Sequence, residues 1–125
     1  MASGDARLTG IHHVQLAMPA GEEEAARRFY GTVLGLREVP KPPALSPAGG
    51  VWFVGEGLEV HLGVEERFSP AHKAHPAFLV EGLASMRARI EAAGYRVSES
   101  IQLEGFHRIY VRDPFGNRVE LIEPA

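Results

Sequence analysis

The stretch VGEGLEVHLGV, residues 54–64, is matched 59 residues later by DPFGNRVELIE, residues 113–123. Each copy reads as a glycine-containing turn followed by a strand in which apolar side chains alternate with other types. The coinciding residues are a glycine and two apolar positions, namely Gly57 with Gly116, Val60 with Val119 and Leu62 with Leu121. Matching turns and strands at one fixed spacing indicate that the chain contains two copies of one unit.

The segments around these two hairpins follow the same order in both halves. In the first half, IHHVQLA reads as a strand, GEEEAARRFYGTVLGL as a helix that closes near Gly35, and LREV, VWFV and LEVHLGV as three strands. In the second half, AHPAFLV reads as a strand, LASMRARIEAAG as a helix ending at Gly94, and YRVSES, RIYVRD and RVELIEP as three strands. We therefore predict an α+β fold of two βαβββ modules in a single domain, with module one over about 8–66 and module two over about 72–125.

Composition and charge narrow the range of functions. The formal net charge of −3 over 125 residues, without a run of Lys and Arg, argues against a nucleic-acid partner. No apolar stretch is long enough to cross a membrane, and the N-terminal residues lack the apolar core of a secretion signal, so we expect a cytoplasmic protein without a membrane partner. The chain has no cysteine, so any metal site depends on His, Asp and Glu.

Two adjacent histidines stand in the first predicted strand. Side chains alternate between the faces of a strand, so His12 shares a face with the apolar Val14, whereas His13 shares the other face with Gln15 and Ala17. The second face, with a polar amide and a small residue, is the one that could line a cavity. His13 is therefore the better candidate ligand, and Gln15 is a candidate pocket residue.

Four residues of metal-ligand type fall at matching places in the two halves. The 59-residue shift places His61 on Glu120, and the first strand of each half carries a histidine, His13 and His75, 62 residues apart. Three imidazoles and one carboxylate suit a divalent ion such as Zn, Ni, Co, Fe or Mn, and an octahedral ion would keep two open positions. Each residue also has a structural explanation, because strand histidines form ordinary hydrogen bonds and Glu120 could pair with Arg118 or another surface cation.

Strand alternation in HRIYVRD places Arg108, Tyr110 and Arg112 on one face. If that face lines the cavity, Arg108 and Tyr110 are candidates for contact with an anionic or phenolic substrate. The alternative is a solvent-exposed sheet edge whose charges are already paired.

The chain resembles the vicinal oxygen chelate superfamily, which contains glyoxalase I, bleomycin-resistance proteins, extradiol dioxygenases, fosfomycin-resistance proteins and methylmalonyl-CoA epimerase. The most specific segments are FYGTVLGL at the end of the first helix and the hairpin DPFGNRVEL. The resemblance implies a U-shaped mixed sheet of glyoxalase type around a metal, often with each site shared between two chains of a homodimer. It also implies that His13, His61, His75 and Glu120 are the metal ligands, although glyoxalase I usually has Glu where this chain has His61.

The chemistry implied by the resemblance is metal-dependent. The ion would hold two neighbouring oxygens of a small substrate, and Glu120 or a neutral His61 would carry the proton in an isomerase, lyase or ring-cleaving reaction. Glutathione-dependent glyoxalase I commonly has Arg where this chain has Ala17 and Asn where it has Glu65, so that activity is not expected. The alternative is a metal-free protein of the bleomycin-resistance kind that binds a small molecule or drug.

Overall fold

Two four-stranded sheets and two helical segments make up the fold of the computed structural model, which describes residues 3–125. The first half contains β1 (Val14–Met18), α1 (Glu23–Ala26) with a π-helix (Arg27–Val33) directly after it, β2 (Arg37–Val39), β3 (Val51–Gly55) and β4 (Leu58–Val64). The second half contains β5 (Ala77–Leu79), α2 (Leu83–Ala92), β6 (Val97–Ser98), β7 (Phe106–Arg112) and β8 (Arg118–Pro124). The predicted α+β fold of two βαβββ modules is confirmed.

The two sheets repeat the same strand order and register. Their orders are β1-β4-β3-β2 and β5-β8-β7-β6, with one parallel pair in each, β1 with β4 and β5 with β8. Gln15 pairs with His61 in the first sheet, and Ala77 pairs with Glu120 in the second. Gln15 and Ala77 are therefore equivalent, and so are the histidines two residues before each of them, His13 and His75. Both β1 and β5 lie at a sheet edge.

Each sheet buries the face opposite to the predicted ligands. In the first sheet, Phe53 and Leu62 are fully buried, and the π-helix places Phe29 and Tyr30 against that face. In the second sheet, the buried residues are Phe78, Ile109, Val111, Val119 and Leu121, and Ile90 of α2 joins the same core. Burial of a large apolar side chain stabilises the fold by about 1.5–3 kcal/mol, so these faces are fixed toward the core. The other face of each sheet is left for polar side chains.

A buried polar network joins the two halves. The Tyr30 hydroxyl donates to Asp113 Oδ2 at 2.7 Å, and Asn117 Nδ2 donates to the same oxygen at 2.9 Å and to the Ala17 carbonyl oxygen of β1 at 2.8 Å. Asp113 Oδ1 accepts from the backbone amides of Phe115 and Asn117. Burial raises the pKa of Asp113, and burial together with the nearby Asp113 carboxylate raises the pKa of Tyr30. The predicted turn DPFGN is therefore a contact between the halves as well as a hairpin turn.

Several element boundaries differ from the sequence-based prediction, for example β6, which covers only Val97–Ser98 of the predicted YRVSES strand. The first helix changes to a π-helix, in which Leu34 N donates to Phe29 O at 2.8 Å, before the chain turns at Gly35 with a φ of +83°. The first strand of each half begins after its histidine, at Val14 and at Ala77. In the second half the reason is Pro76, whose backbone has no amide hydrogen to donate to a neighbouring strand.

Among the helices within residues 3–125, we find none with the length and apolar character that a membrane crossing requires.

Candidate functional site

The first half brings His13 and His61 together in a stack of three aromatic rings. The two imidazoles lie face to face, with centroids 4.1 Å apart and an interplanar angle of 17°. Trp52, the cross-strand neighbour of His61 on β3, stacks on the His61 ring at 3.8 Å and 3°. His61 is consequently only 4% exposed, and its ring is held in one plane.

A carboxylate forms a hydrogen bond with the edge of the His61 ring. Glu59 lies two residues earlier on β4, so both side chains point to the same face of the sheet. Glu59 Oε2 lies 2.7 Å from His61 Nε2, and this hydrogen bond lowers the pKa of the Glu59 carboxyl group. A carboxylate accepts hydrogen bonds, so Nε2 carries the hydrogen and the Nδ1 atom of a neutral His61 keeps its lone pair.

The second half brings His75 and Glu120 into direct contact. His75 Nε2 lies 2.9 Å from Glu120 Oε1, and His75 Nδ1 lies 2.8 Å from the carbonyl oxygen of Lys73. A carbonyl oxygen only accepts, so Nδ1 carries a hydrogen. In a neutral ring the Nε2 lone pair would then face the negative carboxylate. A positive group between the two atoms, either a proton or a metal ion, removes this repulsion.

The donor atoms of this second pair fit a divalent ion. Two adjacent ligand atoms at a right angle, with bonds of about 2.1 Å, lie about 3 Å apart, and Nε2 of His75 is 2.9 Å from Oε1 of Glu120. Imidazole and carboxylate donors suit Zn, Ni, Co, Fe and Mn. A metal ion binds deprotonated ligands, so it would take the place of the proton between the two atoms.

Two of the predicted pocket residues lie beside Glu120. Arg108 Nη1 donates to Glu120 Oε2 at 3.4 Å and to the hydroxyl oxygen of Tyr110 at 2.8 Å. The Arg108 side chain is only 13% exposed, so this part of the strand is not a solvent-exposed edge, although the charge of Arg108 is paired with Glu120 as the alternative expects. Arg118 does not pair with Glu120; its guanidinium carbon lies 4.1 Å from the centre of the Tyr110 ring, and the His75 ring meets that ring edge-on at 5.4 Å.

Gln15, the third predicted pocket residue, lies in the first half beside His61. Its amide extends over Gly63, where a Cβ atom would overlap the amide nitrogen, so the glycine leaves room for this side chain. Gln15 also borders a cavity of about 450 Å³ together with His75 and Asn117. Gln15 thus borders a cavity with one predicted ligand, His75, and is the strand neighbour of another, His61.

The two groups of ligands remain separate within one chain. Across residues 3–125, no set of three or more His, Asp or Glu side chains is arranged to hold a metal ion. His13 and His75 nevertheless border the same cavity, of about 590 Å³, together with His12 and Glu59. One chain thus presents two half-sites of two predicted ligands each, which we call the His13–His61 pair and the His75–Glu120 pair.

Two further charged residues lie at these half-sites, and the sequence analysis predicts neither of them as a site residue. Glu59 precedes His61 by two residues and Arg118 precedes Glu120 by two, and the 59-residue shift aligns them with each other. Strand alternation does place both on the ligand-bearing face. The pattern does not reveal that Glu59 bonds to a histidine while Arg118 stacks on a tyrosine, because both contacts depend on side-chain packing.

The duplicated βαβββ fold, with a pair of ligand-type residues at equivalent positions of each module, is that of a glyoxalase-like protein. The sequence model of the Glyoxalase/Bleomycin resistance protein/Dioxygenase superfamily matches residues 10–121. The chain belongs to this superfamily, which confirms the resemblance carried by its motifs.

Solved structures agree with this assignment. The chain is 43% identical to a glyoxalase family protein from Bacillus anthracis, with a TM-score of 0.91 and coverage of 96% of this chain and 98% of the other. A glyoxalase/dioxygenase from Nostoc punctiforme is 24% identical, with a TM-score of 0.77 and coverage of 100% and 96%. The fosfomycin resistance protein FosX from Listeria monocytogenes is 19% identical, with a TM-score of 0.72 and coverage of 95% and 94%. The latter two likenesses concern the fold alone. The chain has no significant match among curated proteins.

Proposed function

We propose that the protein is a metal-dependent enzyme that acts on a small substrate with two neighbouring oxygens, in an isomerase, lyase or ring-cleaving reaction. The observation that carries the proposal is the pairing of ligand-type residues at equivalent positions, His13 with His61 and His75 with Glu120. Their donor set of three imidazoles and one carboxylate suits Zn, Ni, Co, Fe or Mn. A reaction that depends on glutathione is not part of the proposal, because Ala17 and Glu65 lack the side chains common in that branch.

We further propose that two copies of the chain form a homodimer and build each metal site together. One chain supplies two ligands at each half-site, whereas a protein metal site of this type needs three or four. The cavity bordered by His13 and His75 also carries Ile11 and Leu79, which are 85% and 76% exposed. Both β1 and β5 are edge strands, and a second copy would cover these edges and the apolar side chains.

The residues around the site have distinct roles in this proposal. A bound divalent ion would polarise the substrate and leave two positions for its neighbouring oxygens. When the substrate displaces Glu120 from the ion, its Oε1 would accept and return the substrate proton, while Arg108 holds the other carboxylate oxygen. His61, whose Nε2 hydrogen is held by Glu59, is a second proton carrier. Tyr110 and Gln15 border the space for the substrate.

A metal-free binding protein for a small planar molecule is the second candidate. It is favoured by the stack of Trp52, His61 and His13, which offers flat aromatic surface, and by the separation of the ligand pairs within residues 3–125 of one chain. Both candidates use the same cavity. They differ in whether the protein binds a metal ion.

Metal titration separates the two candidates. Protein purified without a nickel column is treated with a chelator, dialysed, and titrated with each of the five divalent ions. Trp52 is the only tryptophan and stacks on His61, so its fluorescence reports binding directly. We expect one ion per chain, lost in His13→Ala and in Glu120→Ala. Absence of stoichiometric binding by any of these ions would overturn the metal-dependent proposal and favour the binding protein.

Mixing the two variants tests whether two chains share a site. His13→Ala damages the first pair and Glu120→Ala damages the second. In a mixed dimer with shared sites, one site receives both substitutions and the other receives none. Random refolding should therefore restore metal binding at about a quarter of the sites. A site built within one chain would recover no binding in the mixture.

A further inference from the structure

An unpaired arginine lies beside the His75–Glu120 pair. Within residues 3–125, Arg118 makes no ion pair and no side-chain hydrogen bond with another residue of the chain. Its guanidinium carbon lies 4.1 Å from the centre of the Tyr110 ring, and its side chain is partly buried. This stacking holds the group in place and leaves its N–H donors available to a ligand.

The acid next to Arg118 already has other partners. Glu120 lies two residues after Arg118 on the same face of β8, and its carboxylate contacts His75 Nε2 and Arg108 Nη1. Arg108 and Arg118 therefore share a sheet face on which Glu120 is the nearby negative charge. The chain as a whole has a formal charge of −3, so this positive face is a local feature.

Tyr110, which is 7% exposed, adds a second donor. Its hydroxyl oxygen accepts from Arg108 Nη1 at 2.8 Å, and this contact leaves the hydroxyl hydrogen free. No acceptor for that hydrogen occurs among the residues that the structure describes. A guanidinium stacked on the ring and a phenol hydrogen at its edge together form a donor set suited to an oxyanion.

We infer that Arg118 and Tyr110 bind the anionic group of a small organic acid, which would be the substrate class of the function proposed above. The inference rests on that function for the place of the reacting oxygens. Residues two apart on a strand are spaced by about 7 Å, so the anionic group lies only a few bonds from the part of the substrate near Glu120. A carboxylate and a phosphonate both fit the guanidinium, since each offers two oxygens to its paired N–H donors.

An NMR titration of the metal-free protein tests this inference without an assumption about the reaction. The probes are acetate and methylphosphonate, with acetamide as the neutral control, all at constant ionic strength. The Nε–Hε signal of Arg118, identified by its loss in Arg118→Gln, is the readout. We expect a saturable shift with one or both anions and none with acetamide. The anion that binds more tightly identifies which acid group the site prefers.

Variants show whether the binding depends on this arginine. Arg118→Gln should weaken anion binding at least about tenfold, the scale of one lost charge-assisted hydrogen bond. Tyr110→Phe keeps the ring beneath Arg118 and should weaken binding by a smaller factor. Arg28, an exposed arginine on the π-helix, is the matched control, and Arg28→Gln should bind the anion like the parent protein.

Several results would overturn the inference. The first is a response to acetamide as large as the response to the anions, and the second is unchanged anion affinity in Arg118→Gln. The third is an Arg118 signal that shifts in Glu59→Gln and on dilution of the protein but shifts with no anion. The last result would mean that Arg118 pairs with an acid of a second copy. Metal binding without anion binding would overturn this inference and leave the proposed function intact. Anion binding without any metal binding would support this inference and overturn the metal-dependent function.

Discussion

The two half-sites have the same backbone arrangement and opposite charge. The equivalent positions are His13 and His75, His61 and Glu120, Glu59 and Arg118, and Trp52 and Tyr110. In the first half, the residue two before the ligand is an acid that bonds to a histidine. In the second half, the residue two before Glu120 is the cationic Arg118, and Glu120 itself is already paired with Arg108. The shared fold therefore fixes where the predicted ligands lie, while the identities of a few neighbouring side chains decide the charge around them.

The hairpins that carry these half-sites differ in a similar way. The turn after β3 is short, with Glu56 exposed. The turn after β7 carries the buried Asp113, which accepts hydrogen bonds from Tyr30 and Asn117. The second hairpin therefore makes a buried polar contact with the first half.

The largest expected effect tests this difference between the hairpins. Asp113→Ala leaves the buried Tyr30 hydroxyl and two backbone amides without their acceptor, so the free energy of unfolding should fall by about 3 kcal/mol. Glu56→Ala in the other turn should change it by less than about 0.5 kcal/mol. Urea unfolding measures both. Similar losses in the two variants would show that Asp113 has no special role in joining the halves.

The second prediction compares His61 of β4 with Glu120 of β8, the predicted ligands at equivalent positions of the two sheets. Glu120→Gln removes the negative charge next to Arg108, so the affinity for Zn²⁺ should fall by more than about 100-fold. His61→Gln replaces a neutral donor by a weaker neutral one and should lose less. Competition with a chelator of known affinity measures both constants. Equal losses would mean that the charge difference between the half-sites does not govern metal binding.

A smaller effect is expected for the carboxylate that orients His61. Glu59→Gln weakens the hydrogen bond that fixes the imidazole hydrogen on Nε2, and metal affinity should fall about tenfold. Glu66→Gln, a change of the same kind at an exposed acid beyond β4, is the control and should leave the affinity unchanged. A normal affinity in Glu59→Gln would show that the Trp52 stack alone orients His61.

The smallest effect is a difference in pH dependence between two carboxyl groups. Burial raises the pKa of Asp113. The stabilisation from this shift is therefore fully present below the ordinary carboxyl pKa of about 4, and it is lost as the pH rises through the raised pKa. The hydrogen bond from His61 lowers the pKa of Glu59. The stabilisation from this shift is therefore present above the ordinary pKa of a glutamate, and it is lost as the pH falls through the lowered pKa.

Urea unfolding at a series of pH values checks these opposite signs. The stability gap between the parent protein and Asp113→Asn should grow toward low pH. The gap to Glu59→Gln should shrink over the acidic range. Two gaps that change in the same direction would contradict the assignment of these groups to different environments.

The sequence by itself determined the order of elements, the duplication and the positions of the ligand-type residues. These features depend on local periodicity: a 59-residue repeat aligns His61 with Glu120, and strand alternation puts His13 on the ligand-bearing face. Strand register then brings His13 close to His61 and His75 close to Glu120. Arg108 and Tyr110, which strand alternation makes candidate pocket residues, lie beside Glu120.

Only the tertiary structure decided how the side chains meet. His61 is buried between two rings, and Glu120 pairs with Arg108 instead of Arg118. The first helix continues as a π-helix after Ala26. The tertiary structure also kept the two ligand pairs of one chain apart within residues 3–125. These outcomes depend on contacts between strands and halves that are distant in sequence. Periodicity specifies the face on which a side chain lies, whereas packing selects its neighbour on that face.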